Sequence, residues 1–267
     1  MLTQDDLVTA LKTLGLAEGD SVIVHSSYKS LGEVEGGPET VIRALLAALG
    51  PKGNLMLPTF NYASADKDPV FDPLRTPGRT GILTEVGRQW PGAIRSLIPT
   101  HSVAVIGPDA EELTRDHLKF RAAGVGSPID RLARRNGKVL LLGVGHISNT
   151  TIHIGEEYAK VPKAPWAFGL PTYTIRLPDG STIRHPIDTS SSCSTAFGAA
   201  EYPLRRKKLI RDLRFGTSKW QLMLGQDVID CVCEMIREHP DILLCTFPGC
   251  VPCTGTRKNL RGMGKLQ

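Results

Sequence analysis

Nowhere in its 267 residues does this sequence run to the roughly 20 consecutive apolar residues that cross a bilayer. Its first residues, Met1-Leu2-Thr3-Gln4-Asp5-Asp6-Leu7, lack the basic-then-apolar order of a secretory leader, so a cytoplasmic protein with no membrane partner is expected. No Gly-x-Ser-x-Gly stretch occurs, which removes the nucleophile elbow of the α/β-hydrolases. No Gly-x4-Gly-Lys-Ser/Thr loop occurs either, which removes the common ATPase reading. Internal repeats and low-complexity tracts are absent, and so is any nucleic-acid-binding signature; no nucleic acid partner is expected.

What is present is the composition of an ordinary folded protein, 41% hydrophobic and 22% charged. The length allows one large α/β domain or two small ones, and a single domain over 1–267 is the reading adopted. The net charge of +5 is uneven, because residues 204–267 hold 12 Lys and Arg against 6 Asp and Glu. Arg205-Arg206-Lys207-Lys208 reads as a solvated face. The last 20 residues, about 248–267, are rich in glycine and basic residues and are expected to be a loosely held tail. Six cysteines stand at 193, 231, 233, 245, 250 and 253, and a cytosolic chain keeps them reduced. Cys250-x2-Cys253 with Cys245 nearby is part of a zinc-site spacing. It lacks a second pair in the usual register, so no metal is expected.

Hydrophobic periodicity gives the fold class. Thr3 caps a helix with Leu7, Val8, Leu11 and Leu14 on one stripe, and Gly15 ends it. Ser21–Val24, Asn54–Leu57, Val103–Ile106 and Lys138–Leu142 are short apolar runs of the kind buried strands need. Pro38 opens a second helix that Gly50 closes. Strands alternating with helices predict an α/β fold in three layers, a sheet covered by helices on both faces. After residue 170, Tyr173–Leu177 and Ser181–His185 flank Pro178-Asp179-Gly180, which predicts an antiparallel hairpin that joins or extends the sheet. Gln226–Glu238 is a late amphipathic helix that Pro240 ends, and Ile242–Phe247 is predicted as a strand after it.

Two clusters could do chemistry. The first, His25-Ser26-Ser27-Tyr28-Lys29-Ser30-Leu31-Gly32 with Glu35-Gly36-Gly37, follows a strand end, where α/β sheets place their ligand sites. Its hydroxyls and glycines before a helix N-terminus suit a phosphate or pantetheine chain, as they would suit a plain strand-to-helix connection. In the second, Lys138–Leu142 runs through Gly143-Val144-Gly145 into a helix capped by Asn149 or Thr150. That helix carries His153, with Glu156 at i+3 and Glu157 at i+4 on its face. A carboxylate there can hold the imidazole tautomer and stabilise the imidazolium, which makes a general base. His146 is expected to orient the turn, and Cys193, in Ser190-Ser191-Ser192-Cys193-Ser194, to be a packed thiol.

The order of these and further blocks resembles the aminoglycoside 3-N-acetyltransferases from about residue 3 to residue 203. The blocks are Val24-His25-Ser26-Ser27 with Gly36-Gly37, Leu57-Pro58-Thr59-Phe60, Phe71-Asp72-Pro73, Gly81-Ile82-Leu83-Thr84-Glu85 and Arg95-Ser96. Pro99-Thr100-His101-Ser102-Val103, Gly126-Ser127-Pro128, Leu141-Leu142-Gly143-Val144-Gly145 and Asn149-Thr150-Thr151-Ile152-His153-Ile154-Gly155-Glu156 follow in order. The resemblance implies acetyl-CoA as co-substrate and an aminoglycoside amine as acceptor. It implies His153 as the catalytic base, Glu156 as its partner and Glu201 as an acidic residue facing the acceptor. His25 would lie beside the acyl donor, and Ser26 to Gly32, with Ser102 and Val103, would contact coenzyme A. Negative charge for a cationic acceptor would come from Glu156, Glu157, Asp188 and Glu201. Direct transfer in a ternary complex needs no covalent enzyme intermediate and no metal.

The chemistry agrees with the residues, since an ammonium cannot attack a thioester and an imidazole with a pKa of ~6.5 can take its proton. Two departures from the family pattern stand out: Ile98 where a histidine is expected, and the basic, cysteine-rich end from Arg205 onward. The second leaves open another acceptor, such as a different amino sugar, a nucleotide or a peptide amine. A non-catalytic coenzyme A-binding module is disfavoured by the presence of both His153 and Glu156. The oligomeric state stays open, a homodimer included.

Overall fold

The computed structural model of the protein describes residues 1–61, 69–164, 172–186 and 193–266. The first helix, α1 (Gln4–Leu14), starts at a capping box. Thr3 Oγ1 accepts from Asp6 N–H at 3.2 Å, and Asp6 accepts from Thr3 N–H at 2.9 Å. It ends at Gly15, whose φ of 111° is left-handed. Helix α2 (Gly37–Leu49) has proline in its first turn and stops at Gly50. Strands β1 (Ser21–Ser26) and β2 (Asn54–Pro58) run parallel, and β1 also pairs in parallel with β6 (Lys138–Leu142).

Antiparallel strands complete the sheet on both sides. β5 (Val103–Ile106) pairs with β2, and β4 (Ile94–Arg95) with β5. On the other side, β10 (Ser218–Leu224) pairs with β6, and β9 (Arg211–Phe215) with β10. The order of the seven strands is β4-β5-β2-β1-β6-β10-β9.

Alternation along each strand divides the interior into two cores. From β1, Ile23 faces one core while Val22 and Val24 face the other; from β6, Val139 and Leu141 part from Leu140 and Leu142 in the same way. The first core is roofed by α4 (Ala110–Thr114), α5 (Pro128–Arg134), α6 (Thr151–Tyr158), α7 (Glu201–Arg206) and α8 (Gly225–Glu238). The second is roofed by α1, α2 and α3 (Ile82–Arg88). The three-layer α/β architecture is therefore as the sequence predicts. Each fully buried aliphatic side chain contributes about 1.5–3 kcal/mol relative to leaving it in water.

The hairpin forms where Pro178-Asp179-Gly180 places it, as β7 (Thr172–Arg176) and β8 (Thr182–Pro186). It does not join the main sheet. β7 pairs instead with β3 (Val70–Phe71), giving a separate three-stranded sheet. Ile98 packs under that sheet with Phe71, Tyr173 and Ile175, so the residue that departs from the family pattern fills an apolar cluster.

The C-terminal region differs from expectation twice. Residues 242–247 make turns and irregular chain instead of a strand, because Leu244 and Cys245 turn inward to pack with Cys253 and Leu260. The stretch expected to be a loose tail contains α9 (Val251–Gly262), with Pro252, Cys253, Thr256 and Leu260 buried on one side. Its polar sequence hides this stripe at i, i+1, i+4 and i+8. No helix among the described residues is long and apolar enough to cross a membrane.

Candidate active site

Because β1 and β6 are parallel neighbours, their C-terminal ends open on the same edge of the sheet. From β1 the chain enters a 3-10 turn at Tyr28–Leu31. From β6 it turns at Gly143, whose φ of 70° needs glycine and where a Cβ would collide with Ser30 Oγ. The close approach ties the two loops together, with Ser30 Oγ 2.9 Å from Ser218 Oγ. Beyond a second 3-10 turn at His146–Ser148, Asn149 Oδ1 accepts from Thr151 N–H at 3.2 Å. Of the two expected caps for α6, Thr150 holds the N-cap position without a side-chain bond, and Asn149, one residue earlier, supplies the side-chain acceptor.

Between these loops lies a cavity of about 350 Å³, and His25, Ser26, Phe60, Arg79, His101, His153, Ser194 and Phe197 are among the residues that line it. On α6, His153 Nδ1 and Glu156 Oε2 are 2.9 Å apart. Glu156 is 1% exposed, and Lys163 Nζ, also nearly enclosed, stands 3.5 Å from the same oxygen. A buried carboxylate holding Nδ1–H leaves the lone pair of the imidazole on Nε2, the arrangement a base requires. Phe197 meets the His153 ring edge-on at 4.6 Å between centroids, and His101 meets it the same way at 6.3 Å. Glu157, the alternative i+4 carboxylate, lies towards Gly124.

The other histidines of the site are neutral. Burial pushes His25 down to about 3. Burial, then the neighbouring His153, His117 and Lys163, puts His101 at about 3 as well. His25 Nε2 is buried and has no hydrogen-bond partner among the described residues. His146 does not line the cavity; its Nδ1 stands 3.4 Å from Asn149 Nδ2, in keeping with a part in shaping the turn.

The sequence model of the aminoglycoside 3-N-acetyltransferase family matches residues 23–237. The chain is 34% identical over 241 residues to aminoglycoside N(3)-acetyltransferase IV from Salmonella sp., covering 90% of this chain and 89% of that one. It belongs to the aminoglycoside 3-N-acetyltransferase family, and it is an acyltransferase. The apoenzyme of aminoglycoside acetyltransferase AAC(3)-IVa superposes with a TM-score of 0.82 at 33% identity, over 96% of each chain. A His-to-Ala variant of that enzyme in complex with a gentamicin gives 0.83 at 33% identity over 96% of each chain. The binary complex of AAC-IIIb with CoASH gives 0.77 at 26%, over 89% of this chain and 97% of that one.

In this acyltransferase the sequence-predicted residues separate into groups. His25, Ser26 and His153 meet at the cavity, with Glu156 directly behind His153. Ser27 to Gly32 follow the turn and do not line the cavity: Ser27 N–H donates to Leu142 O at 2.9 Å, Tyr28 packs against the second core, Lys29 is exposed, Ser30 is held by Ser218, and Leu31 is buried.

Ser102 and Val103 show no surface and do not line the cavity. Ser102 Oγ accepts from Arg95 Nε at 3.0 Å and donates to Thr59 O at 2.8 Å, so the hydroxyl is spent on a buried guanidinium. Glu201 does not line the cavity either. It accepts from Arg205, Lys219 and Gln221 at 2.8, 2.9 and 3.0 Å. Burial works to raise its carboxyl, and those three hydrogen bonds outweigh it, bringing it to about 2. Two cations already offset its charge, which removes the basis for aiming it at an acceptor ammonium. Asp188 and Ser190 to Ser192 lie outside the described residues.

Two members of the site carry no sequence signal. Lys163 lies beyond the end of α6, where helical spacing no longer applies. Arg79 is an exposed cation with no ion-pair partner among the described residues, and only the fold brings it to the cavity.

Proposed function

We propose that this acyltransferase moves the acetyl group of acetyl-CoA to the 3-amino group of a 2-deoxystreptamine aminoglycoside, with His153 as general base. The observation that carries the reading is the His153–Glu156 pair, 2.9 Å apart at the wall of the cavity. Nε2 of His153 takes a proton from the acceptor as the amine nitrogen attacks the thioester carbonyl. The tetrahedral intermediate then expels the coenzyme A thiolate, which recovers the proton from the imidazolium. Glu156 fixes the tautomer and stabilises the imidazolium. His25, neutral and with Nε2 unsatisfied, is placed to hydrogen-bond the acyl donor. Arg79 favours phosphate over a cationic acceptor at the same wall.

The family match and the relatives solved with CoASH and with a gentamicin support this donor and acceptor. The test is release of free coenzyme A thiol from acetyl-CoA, with and without an aminoglycoside, followed by mass and NMR analysis of the product. Acetylation at the 3-amino position is expected. Turnover with another amine and none with an aminoglycoside would keep the acyltransferase and replace the acceptor.

A further inference from the structure

The fold brings four of the six cysteines to one point. The Sγ atoms of Cys193, Cys245, Cys250 and Cys253 all lie within 4.8 Å of one another, and those of Cys193 and Cys245 are 3.8 Å apart. Four sulfurs around a tetrahedral ion, with bonds of about 2.3 Å, stand about 3.8 Å from each other. Cys245 and Cys253 are buried, while Cys193 and Cys250 are half-buried. The remaining two thiols, Cys231 and Cys233, lie apart on α8.

We propose that Cys193, Cys245, Cys250 and Cys253 form a structural zinc site that fastens the C-terminal region to the wall of the active-site cavity. The donor set is the one zinc prefers in closed sites, four thiolates with no position left for water. Each thiol gives its proton to solvent and its sulfur lone pair to Zn²⁺, with no change of oxidation state. The resulting complex carries a net charge of −2, and its surroundings suit that charge. Cys253 Sγ accepts from Cys245 N–H at 3.3 Å, and Cys193 Sγ accepts from Thr195 N–H at 3.4 Å. Such donors stabilise thiolates. Arg257 donates to the carbonyls of Leu244 and Cys245, both at 2.7 Å, which places its guanidinium beside the cluster, where it also pairs with Asp241 at 3.4 Å. No acidic residue follows Asp241 in the sequence.

The site also explains how this region stays ordered. Its own apolar cluster is small, and Cys245 and Cys253 are half of its four buried members. The family match stops at residue 237, so three ligands come from beyond it, while Cys193 belongs to the segment that supplies Ser194 and Phe197 to the cavity. Cys193 lies 52 residues before Cys245, which is why spacing alone shows three of the four ligands.

The test begins with the intact chain, purified under reductant, and its metal content by mass spectrometry. One zinc per chain is expected. After removal of the metal, titration with Co²⁺ should give the visible bands of tetrahedral cobalt and sulfur-to-cobalt charge transfer, saturating at one equivalent. Cys253→Ser and Cys193→Ser should lose the stoichiometric zinc, whereas Cys231→Ser and Cys233→Ser should keep it. Stripping the metal should raise hydrogen exchange over 193–200 and α9 while leaving β1 and β6 protected. A wild-type chain that neither carries nor takes up zinc, with these thiols free or joined as disulfides, would overturn the proposal. So would iron in place of zinc, full zinc content in Cys253→Ser, or unchanged exchange over 193–200 after stripping. The wild-type metal content and the cobalt titration decide the matter even where a variant fails to fold.

Discussion

On one side of the cavity, His25, Ser26 and His153 sit on the end of β1 and on α6, in a sheet buried on both faces by branched aliphatic side chains. On the other side, Ser194 and Phe197 come from the segment after Cys193: Cys193 and Ala196 pack with the small C-terminal cluster, while Phe197, which opens a 3-10 turn at Phe197–Ala200, is buried in the first core. The first wall owes its geometry to packing, which tolerates little displacement. The second shares that packing through Phe197 and Ala200 and adds the small cluster reached by Cys193 and Ala196. General-base chemistry needs positions fixed to a few tenths of an ångström, so the proposed base, His153, belongs on the first wall.

The largest effect that would sharpen this contrast is the loss of the base. His153→Ala should lower kcat/KM by ~10²–10⁴-fold while coenzyme A binding, followed by calorimetry, stays near wild type. Wild-type turnover would remove His153 from the chemistry. Glu156→Gln should do less damage in the same kcat/KM assay, because it removes the charge behind the base without deleting the imidazole. His25 and His101, held at about 3, do not contribute to a pH limb of kcat/KM in the neutral range.

A smaller effect concerns how tightly the first wall is packed. A Cβ on Gly155 would meet Val232 Cγ1 at 2.5 Å and Ile229 O at 3.2 Å, so α6 and α8 touch where α6 has no side chain. Gly155→Ala should cost about 1–3 kcal/mol in urea unfolding. A neutral result would mean that α6 can shift, and with it His153.

Acid should act on the same wall. His25, His101 and His117 are each pushed by burial to about 3, below the ordinary 6.5, so the unfolded chain binds their protons first. Their contribution is intact above pH ~6.5 and declines as pH falls from there towards ~3, by about 1 kcal/mol for each histidine over the first unit. Chemical denaturation at about pH 6.5 and 5.5 reads this directly, and equal stability at both would contradict the neutral, buried state. The smallest effect belongs to Arg79 at the solvent rim. Arg79→Gln should raise the KM for acetyl-CoA by ~2–5-fold, as an exposed charge contributes under about 1 kcal/mol. A rise in the acceptor KM alone would place the phosphates elsewhere.

The legibility of the sequence follows the same division. In α1 and α2 apolar period, N-terminal signal and glycine stop coincide, and in β1 and β6 a short apolar run is buried on both faces, so local pattern and tertiary environment agree. The His153–Glu156 pair is legible because i+3 spacing is a local property. Lys163, Arg79 and the pairing of β7 with β3 depend on where distant chain segments meet, and no local pattern records that. The family resemblance implies coenzyme contact for Ser102, and its bond to the buried Arg95 is visible only once β4 and β5 are paired. At the C-terminus, a polar composition concealed α9, and the sulfur that completes the cluster came from Cys193, far upstream.

The pairing of β1 with β6 also has a bearing on how the protein comes into being. The strands that bring His25 and His153 to one edge are separated by more than a hundred residues, so their contact carries a large loop-closure cost and forms slowly. Strand β10 then covers β6, and α8 closes over α6 at Gly155, both supplied by chain made later than His153. During synthesis, a nascent chain that ends before Gly225 therefore carries His25, His153, Glu156 and Lys163 without the helix that packs on α6. Activity should appear abruptly once residues 225–238 have left the ribosome, rather than grow with each residue added.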